Sequence, residues 1–191
     1  MGWKAMNASG AVAVPIVTAL PGSPTDGQEV ILADSTTAPT YAWTLRYNAN
    51  AVSSYKWDFV GGSALSASDP NTFTSSSTSY TSSGLSMTLP RNGDYDIGVS
   101  AFFDDQGNAT DANGFATAAC TGLSALDIRS CTVHYGLGVG GGFYRTQGSS
   151  FVLFRATGLT ASALTHQVRN TSGLTSGYSY RRLTATPVRV A

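Results

Sequence analysis

The sequence predicts an all-β fold, a small N-terminal β-meander followed by an antiparallel jelly-roll sandwich. Charged residues are only 12% of the 191, roughly half the usual share, so the Glu, Lys and Arg of long salt-bridged helices are scarce. Ser, Thr, Gly and Ala are abundant and aromatic residues make up 10%, a mixture that suits pleated surfaces with uncharged polar groups. Short runs of alternating apolar and polar residues recur between clusters of Gly, Asn, Asp and Ser, the pattern of sandwich strands joined by turns.

Residues 1–20 contain Gly2, Gly10 and Pro15 and no sustained periodicity, which predicts an extended N-terminal arm. The apolar stretch there is short and broken by Pro15, unlike the core of a secretory signal. Residues 21–62 read as the β-meander, with "GQEVILAD" as its first strand. In "YAWTLRYN", Tyr41, Trp43, Leu45 and Tyr47 share one face, opposite Ala42, Thr44 and Arg46. In "SSYKWDFVGG", Tyr55, Trp57 and Phe59 lie opposite Lys56 and Asp58. So small a unit is marginal alone, and its aromatic face needs the main domain or another chain to rest on.

Residues 63–84 are rich in Ser and Thr and read as a linker or a surface loop around a short strand, with the domain boundary between 62 and 70. The head domain, 85–191, holds the remaining strand signals: "LSMTLP", "GDYDIGVSAFFD", "GFATAACTG", "ALDIRSCTVHYGLGV", "FYRTQGSSFVLFRATGL" and "YSYRRLTATPVRV". "TASALTHQV" leaves a short helix and a strand both open.

Eleven acids balance eleven bases, so nothing favours a polyanionic partner, and the cluster Arg181, Arg182 and Arg189 lacks the basic surroundings of a nucleic-acid footprint. No apolar run reaches the roughly 18 residues of a membrane span. Neither a nucleic-acid nor a membrane partner is expected. Cys120 and Cys131 are the two cysteines. They are too few for a four-ligand zinc site. Two readings stay open: a disulfide, worth about 3 kcal/mol if the residues face each other across strands, or two buried thiols.

"HYGLGVGGGFY", 134–144, places Gly136, Gly138 and Gly141 at the spacing of a dinucleotide loop. That fingerprint needs a helix opening from the third glycine and an acid about 20 residues on; here an aromatic strand follows and Ala161 stands at the acid's place. Period 2 instead puts Gly136, Gly138 and Gly140 on one strand face, bare of Cβ atoms and open to close approach by another backbone or large side chains, inside the sandwich or at a subunit contact. No cofactor is expected.

Asp94, Asp96, Asp104, Asp105, Asp111 and Asp127 are the carboxylates from which a glycosidase would draw a pair about 5 to 9.5 Å apart. "DDQGNATDANG" lacks the closing Glu of a helix-loop-helix calcium loop and reads as a solvated turn. There is no G-x-S-x-G elbow, and neither His134 nor His166 has a Ser and Asp in a shared motif. Catalytic and metal residues are therefore not expected.

Two segments resemble known families. Residues 20–65 resemble a module of tail, fibre and other virion proteins of siphophages, especially those of actinobacteria. The matching positions are Pro21, Pro24, Asp26, Gly27 and Gln28, then Trp43, Leu45, Arg46 and Tyr47, then Ser54 to Trp57 and Phe59 to Gly62. From Leu85 to Val190 the chain is similar to complement-head and tumour-necrosis-factor-like jelly rolls, through "LPRNGDYDIGVSAFF" and the closing "RRLTATPVRVA". The glycine-rich strand departs from that pattern.

The resemblance implies a non-enzymatic virion structural protein, assembled in the host cytoplasm, with homotrimeric heads and an N-terminal part that joins capsid or tail proteins. Trp43, Arg46, Tyr47, Tyr55, Trp57, Phe59, Gly136, Gly138 and Gly140 are the expected attachment and interface positions. A minor tail protein that recognises host cell-surface glycan is the alternative, with Phe143, Tyr144, Tyr178 or Tyr180 as stacking surfaces.

Overall fold

A computed structural model describes residues 13–105, 114–123, 131–133, 146–171, 173 and 175–191. Among them it holds thirteen strands and no helix. The first seven are β1 (Ile16–Val17), β2 (Glu29–Ala33), β3 (Ala42–Tyr47), β4 (Trp57–Gly62), β5 (Leu65–Asp69), β6 (Phe73–Ser75) and β7 (Thr81–Thr88). The rest are β8 (Gly93–Asp105), β9 (Gly114–Ala119), β10 (Cys131–Val133), β11 (Thr146–Leu159), β12 (Ala163–Asn170) and β13 (Ser176–Val190). The protein is all-β, as its composition predicts.

The strands form two sheets. The larger runs β1-β2-β3-β4-β13-β8-β11, with β5 and β6 also paired to β13, and the smaller runs β10-β9-β12-β7. Every pairing is antiparallel except that of β1 with β2. From β7 onward the chain alternates between sheets, staying in one only for the β9–β10 pair.

β2, β3 and β4 make the predicted meander, and alternation buries Tyr41, Trp43, Leu45 and Trp57 on its inner face. That face rests on the head: the Trp43 ring meets the Tyr95 ring edge-on at 6.4 Å, and Arg189 reaches Asp58 at 2.7 Å. One hydrophobic cluster extends from Val30 and Leu32 through Ile97 and Leu164 to Val190. The arm expected over 1–20 falls outside the described residues up to 12. Its next part is docked, with Ile16 opposite Ile31 and the Pro15 carbonyl accepting from the Ile31 N–H at 2.8 Å.

The tract 63–84 corrects the sequence reading. Instead of a linker, or a loop around one short strand, it contains β5, β6 and the start of β7. β4, β5 and β6 succeed one another along a single edge of β13, opposite residues 189–190, 181–185 and 176–178 in turn. Ladder hydrogen bonds come from the backbone, so a Ser/Thr-rich segment pairs as well as an apolar one once a long strand offers its edge.

The segment 160–168, left open between helix and strand, is strand from Ala163, because Leu164, His166, Val168 and Asn170 alternate into the core. The cysteine register removes the disulfide. Cys131 lies opposite Ala116, four residues along the strand from the free thiol of Cys120, a separation of about 13 Å at strand rise, well beyond disulfide reach. Burial raises the Cys120 thiol pKa.

Candidate functional site

The outer face of β5, β13, β8 and β11 is an open sheet surface with large apolar side chains exposed on it. Alternation turns Leu183, Ala185, Ile97, Val99, Phe154 and Ala156 into the core, which leaves Arg182, Thr184, Gly98, Ser100, Phe151 and Leu153 outside. Pairing aligns them in rows. Phe151, Ser100, Arg182 and Ser68 form one, and Leu153, Gly98, Thr184 and Ser66 the next. Phe151 is 64% exposed and Leu153 62%. A Cβ on Gly98 would stand 3.1 Å from Phe151 Cε2 and overlap the Thr184 hydroxyl. Glycine at this position lets the phenyl ring lie across the sheet.

A β-bulge shapes the other side of the face. Register shifts between Ser179 and Arg182, and Tyr180 takes φ 48°, a left-handed backbone that a bulky residue rarely adopts. The extra residue re-aims its neighbours: Arg181 turns inward at 3% exposure, while Tyr180 stays 70% exposed beside Arg182. The Arg181 guanidinium donates to the Ser83 carbonyl on the smaller sheet, to Asp69 at 2.5 Å and to the Asn71 carbonyl at 3.1 Å. The Asn71 backbone N–H, and then Arg181, hold the Asp69 carboxyl below its usual range. Two hollows flank Arg182. Gly98, Ser100, Phe151 and Thr184 complete the lining of one, ≈ 280 Å³; Ser68, Pro70, Ser100 and Tyr180 help line the other, ≈ 300 Å³.

Behind this face, His166 is wholly buried between the sheets. Its Nε2 lies 3.2 Å from the Ser100 carbonyl and must donate to it, so Nδ1 accepts from the Ser83 hydroxyl at 3.0 Å. Burial, with the Arg181 charge adding to it against the Ser100 hydrogen bond, pulls its pKa down to about 4. The imidazole is a neutral structural bridge at pH 7.

The residues singled out from the sequence are dispersed. Trp43 and Trp57 are core, at 0% and 4% exposure, so neither offers a surface to a neighbour; Trp43 Nε1 donates to the Ser63 carbonyl at 3.0 Å. Tyr47, Tyr55 and Phe59 are half-buried, and the Tyr47 ring packs edge-on against Trp57 at 5.3 Å. Arg46 is exposed and pairs with Glu29 at 2.6 Å. Tyr178 is buried and donates to the Arg169 carbonyl at 2.6 Å, leaving Tyr180 as the exposed member of that pair. Gly136, Gly138, Gly140, His134, Phe143 and Tyr144 lie outside the described residues.

Of the carboxylates, Asp94 is buried and accepts from the Gly158 N–H at 3.0 Å, and Asp96 takes two hydrogen bonds from Arg155. Asp104 lines a small hollow with Thr72, Thr74 and Ser176. Asp111 and Asp127 lie outside the described residues, as does the Asp105 side chain. Among the described residues no three His, Cys, Asp or Glu side chains cluster as metal ligands.

The sequence reading passed over Phe151, Leu153 and Gly98. The signal was four apolar residues in succession, Phe151 to Phe154, since a strand apolar on both faces needs cover on both. No protein-family model matches the chain, and no curated protein is similar to it.

Proposed function

We propose that the chain is a bacteriophage virion structural protein, a homotrimer whose jelly-roll heads meet through the outer face of β5, β13, β8 and β11 and whose N-terminal part fixes it to the particle. The observation that carries the reading is the exposure of Phe151 and Leu153 on that face. Neighbouring large apolar side chains on an open sheet mark a contact surface, and a formal charge of zero favours association of like copies. The order of the head strands supports the jelly roll. β5 and β6 with β13, β8 and β11 make one layer and β7, β12, β9 and β10 the other, an eight-stranded double sheet when β5 and β6 count as one strand.

Sedimentation equilibrium of the full chain should give three times the 19.8 kDa protomer mass, and Phe151→Ser with Leu153→Ser should release folded monomer. A wild-type monomer across micromolar concentrations would sink the reading. Antibody labelling should place the chain on purified particles of the phage that encodes it; unlabelled particles would remove the virion role.

A second reading has its own observation. Tyr180, held outward beside the ≈ 300 Å³ hollow, offers a ring on which a sugar of the host surface could stack. Binding of the wild type to host cells, abolished by Tyr180→Ser, would favour a receptor-binding tail protein.

A further inference from the structure

We infer that Arg182 anchors the contact between copies by reaching a carboxylate of the neighbouring subunit. The inference rests on the homo-oligomer reading and names the group that would hold it together.

The arginines on the described part of the chain differ in one respect. Arg46, Arg155, Arg181 and Arg189 each have a carboxylate, at 2.6, 2.9, 2.5 and 2.7 Å. Arg91 donates to the Thr18 carbonyl, and Arg169 lies between the rings of Tyr80 and Phe115, 5.0 and 4.4 Å from their centroids. Arg182 has no such partner among the described residues, yet it stands on a face with exposed apolar side chains, sharing one hollow with Phe151 and the other with Tyr180.

A copy that covers Phe151 also covers Arg182. Excluding water from a guanidinium without supplying a carboxylate strands a charge, which costs more than the surrounding apolar contacts return. The planar fork of arginine suits a carboxylate at a desolvated contact better than the compact charge of lysine. The acid can come from the same sequence. Among the described residues Asp26 and Asp34 have no arginine, accepting instead from the Ala49 N–H and the Thr40 hydroxyl, so the chain carries exposed carboxylates to spare. In a closed ring each contact joins two different patches, so Arg182 and its acid need not be near each other in one subunit. The hollows on either side of Arg182 would take the side chains that flank that acid.

The test compares dissociation constants of full-length wild type, Arg182→Met and Arg182→Lys by sedimentation, with circular dichroism to confirm folding. Arg182→Met keeps the apolar stem and leaves the neighbouring carboxylate unpaired, and assembly should weaken roughly tenfold to a hundredfold. Arg182→Lys should recover part of the loss. Added sodium chloride should weaken the wild type and leave Arg182→Met nearly unchanged. If Arg182→Met assembles as tightly as wild type, the inference is wrong while the oligomer stands; if the wild type is a monomer, the oligomer reading itself has failed. Binding of sodium glucuronate that Arg182→Met abolishes, with assembly unaffected, would give the face to an anionic saccharide instead.

Discussion

The two edges of β13 are covered in different ways. Along one, β8 pairs from Gly177 to Val190 as a single strand. Along the other, three short strands share the length, with breaks at Ser63–Ala64 and at Pro70–Thr72. The continuous edge is written in apolar residues: Tyr95, Ile97, Val99, Ala101 and Phe103 are all buried. The spliced edge is less apolar, half the residues of β5 and β6 being Ser or Thr, and what holds it is backbone pairing plus a few polar ties. A strand can therefore be specified by its partner's edge as much as by its own side chains.

That contrast can be broken at the ties. The largest effect should come from Arg181→Met, which deprives Asp69 and the Ser83 and Asn71 carbonyls of their donor. Asp69 is a third exposed and can rehydrate, so the loss should be about 3 kcal/mol, at the lower end for a broken buried pair, read from urea unfolding. A loss below about 0.5 kcal/mol would mean that the spliced edge needs no such tie.

Acid should act on the same junction with a slightly smaller effect. His166 titrates near 6.5 when unfolded and about 4 when folded, so the folded state binds fewer protons between those values. Its stabilisation is complete above pH 6.5 and declines as pH falls toward 4, by roughly 2 to 3 kcal/mol in all. Unfolding midpoints at pH 7 and 4.5 should show that slope, and His166→Gln should flatten it. An equal slope in both proteins would place the sensitivity elsewhere.

Gly62 tests the first break. Its φ is 124° and a Cβ there would press into the Ala42 carbonyl oxygen, so Gly62→Ala should cost about 2 kcal/mol. Thermal melting measures it, and an unchanged midpoint would mean that the splice tolerates a side chain. Arg46→Ala serves as the contrast. Its pair with Glu29 is of the same chemistry as Arg181 with Asp69, but the Arg46 side chain is 55% exposed, and its loss should cost no more than about 0.5 kcal/mol.

How much of this the sequence announces depends on which force builds each part. The meander is legible because aromatic residues alternate along β3, and burial follows that period directly. β5 and β6 are not, since the only large apolar residues they carry are Leu65 and Phe73 and their pairing partner lies more than a hundred residues away. Arg181 and Arg182 stand side by side in one basic cluster, yet the bulge at Tyr180 sends one into the core and the other to the surface. No period-2 reading anticipates an inserted residue. The face that carries Phe151 and Leu153 is half legible: the run Phe151 to Phe154 is apolar on both sides, but only the fold says which side the core takes.

The succession of β4, β5 and β6 along β13 also bears on how the molecule carries load. A pull on the N-terminal strands reaches the head through a run that lies lengthwise against one long strand. Force applied along that direction is shared by many ladder hydrogen bonds at once, as shear, and does not peel them in turn. The two breaks are where such a load would concentrate, and Trp43, donating across the first of them to the Ser63 carbonyl, stands at the point where the strain would first be felt.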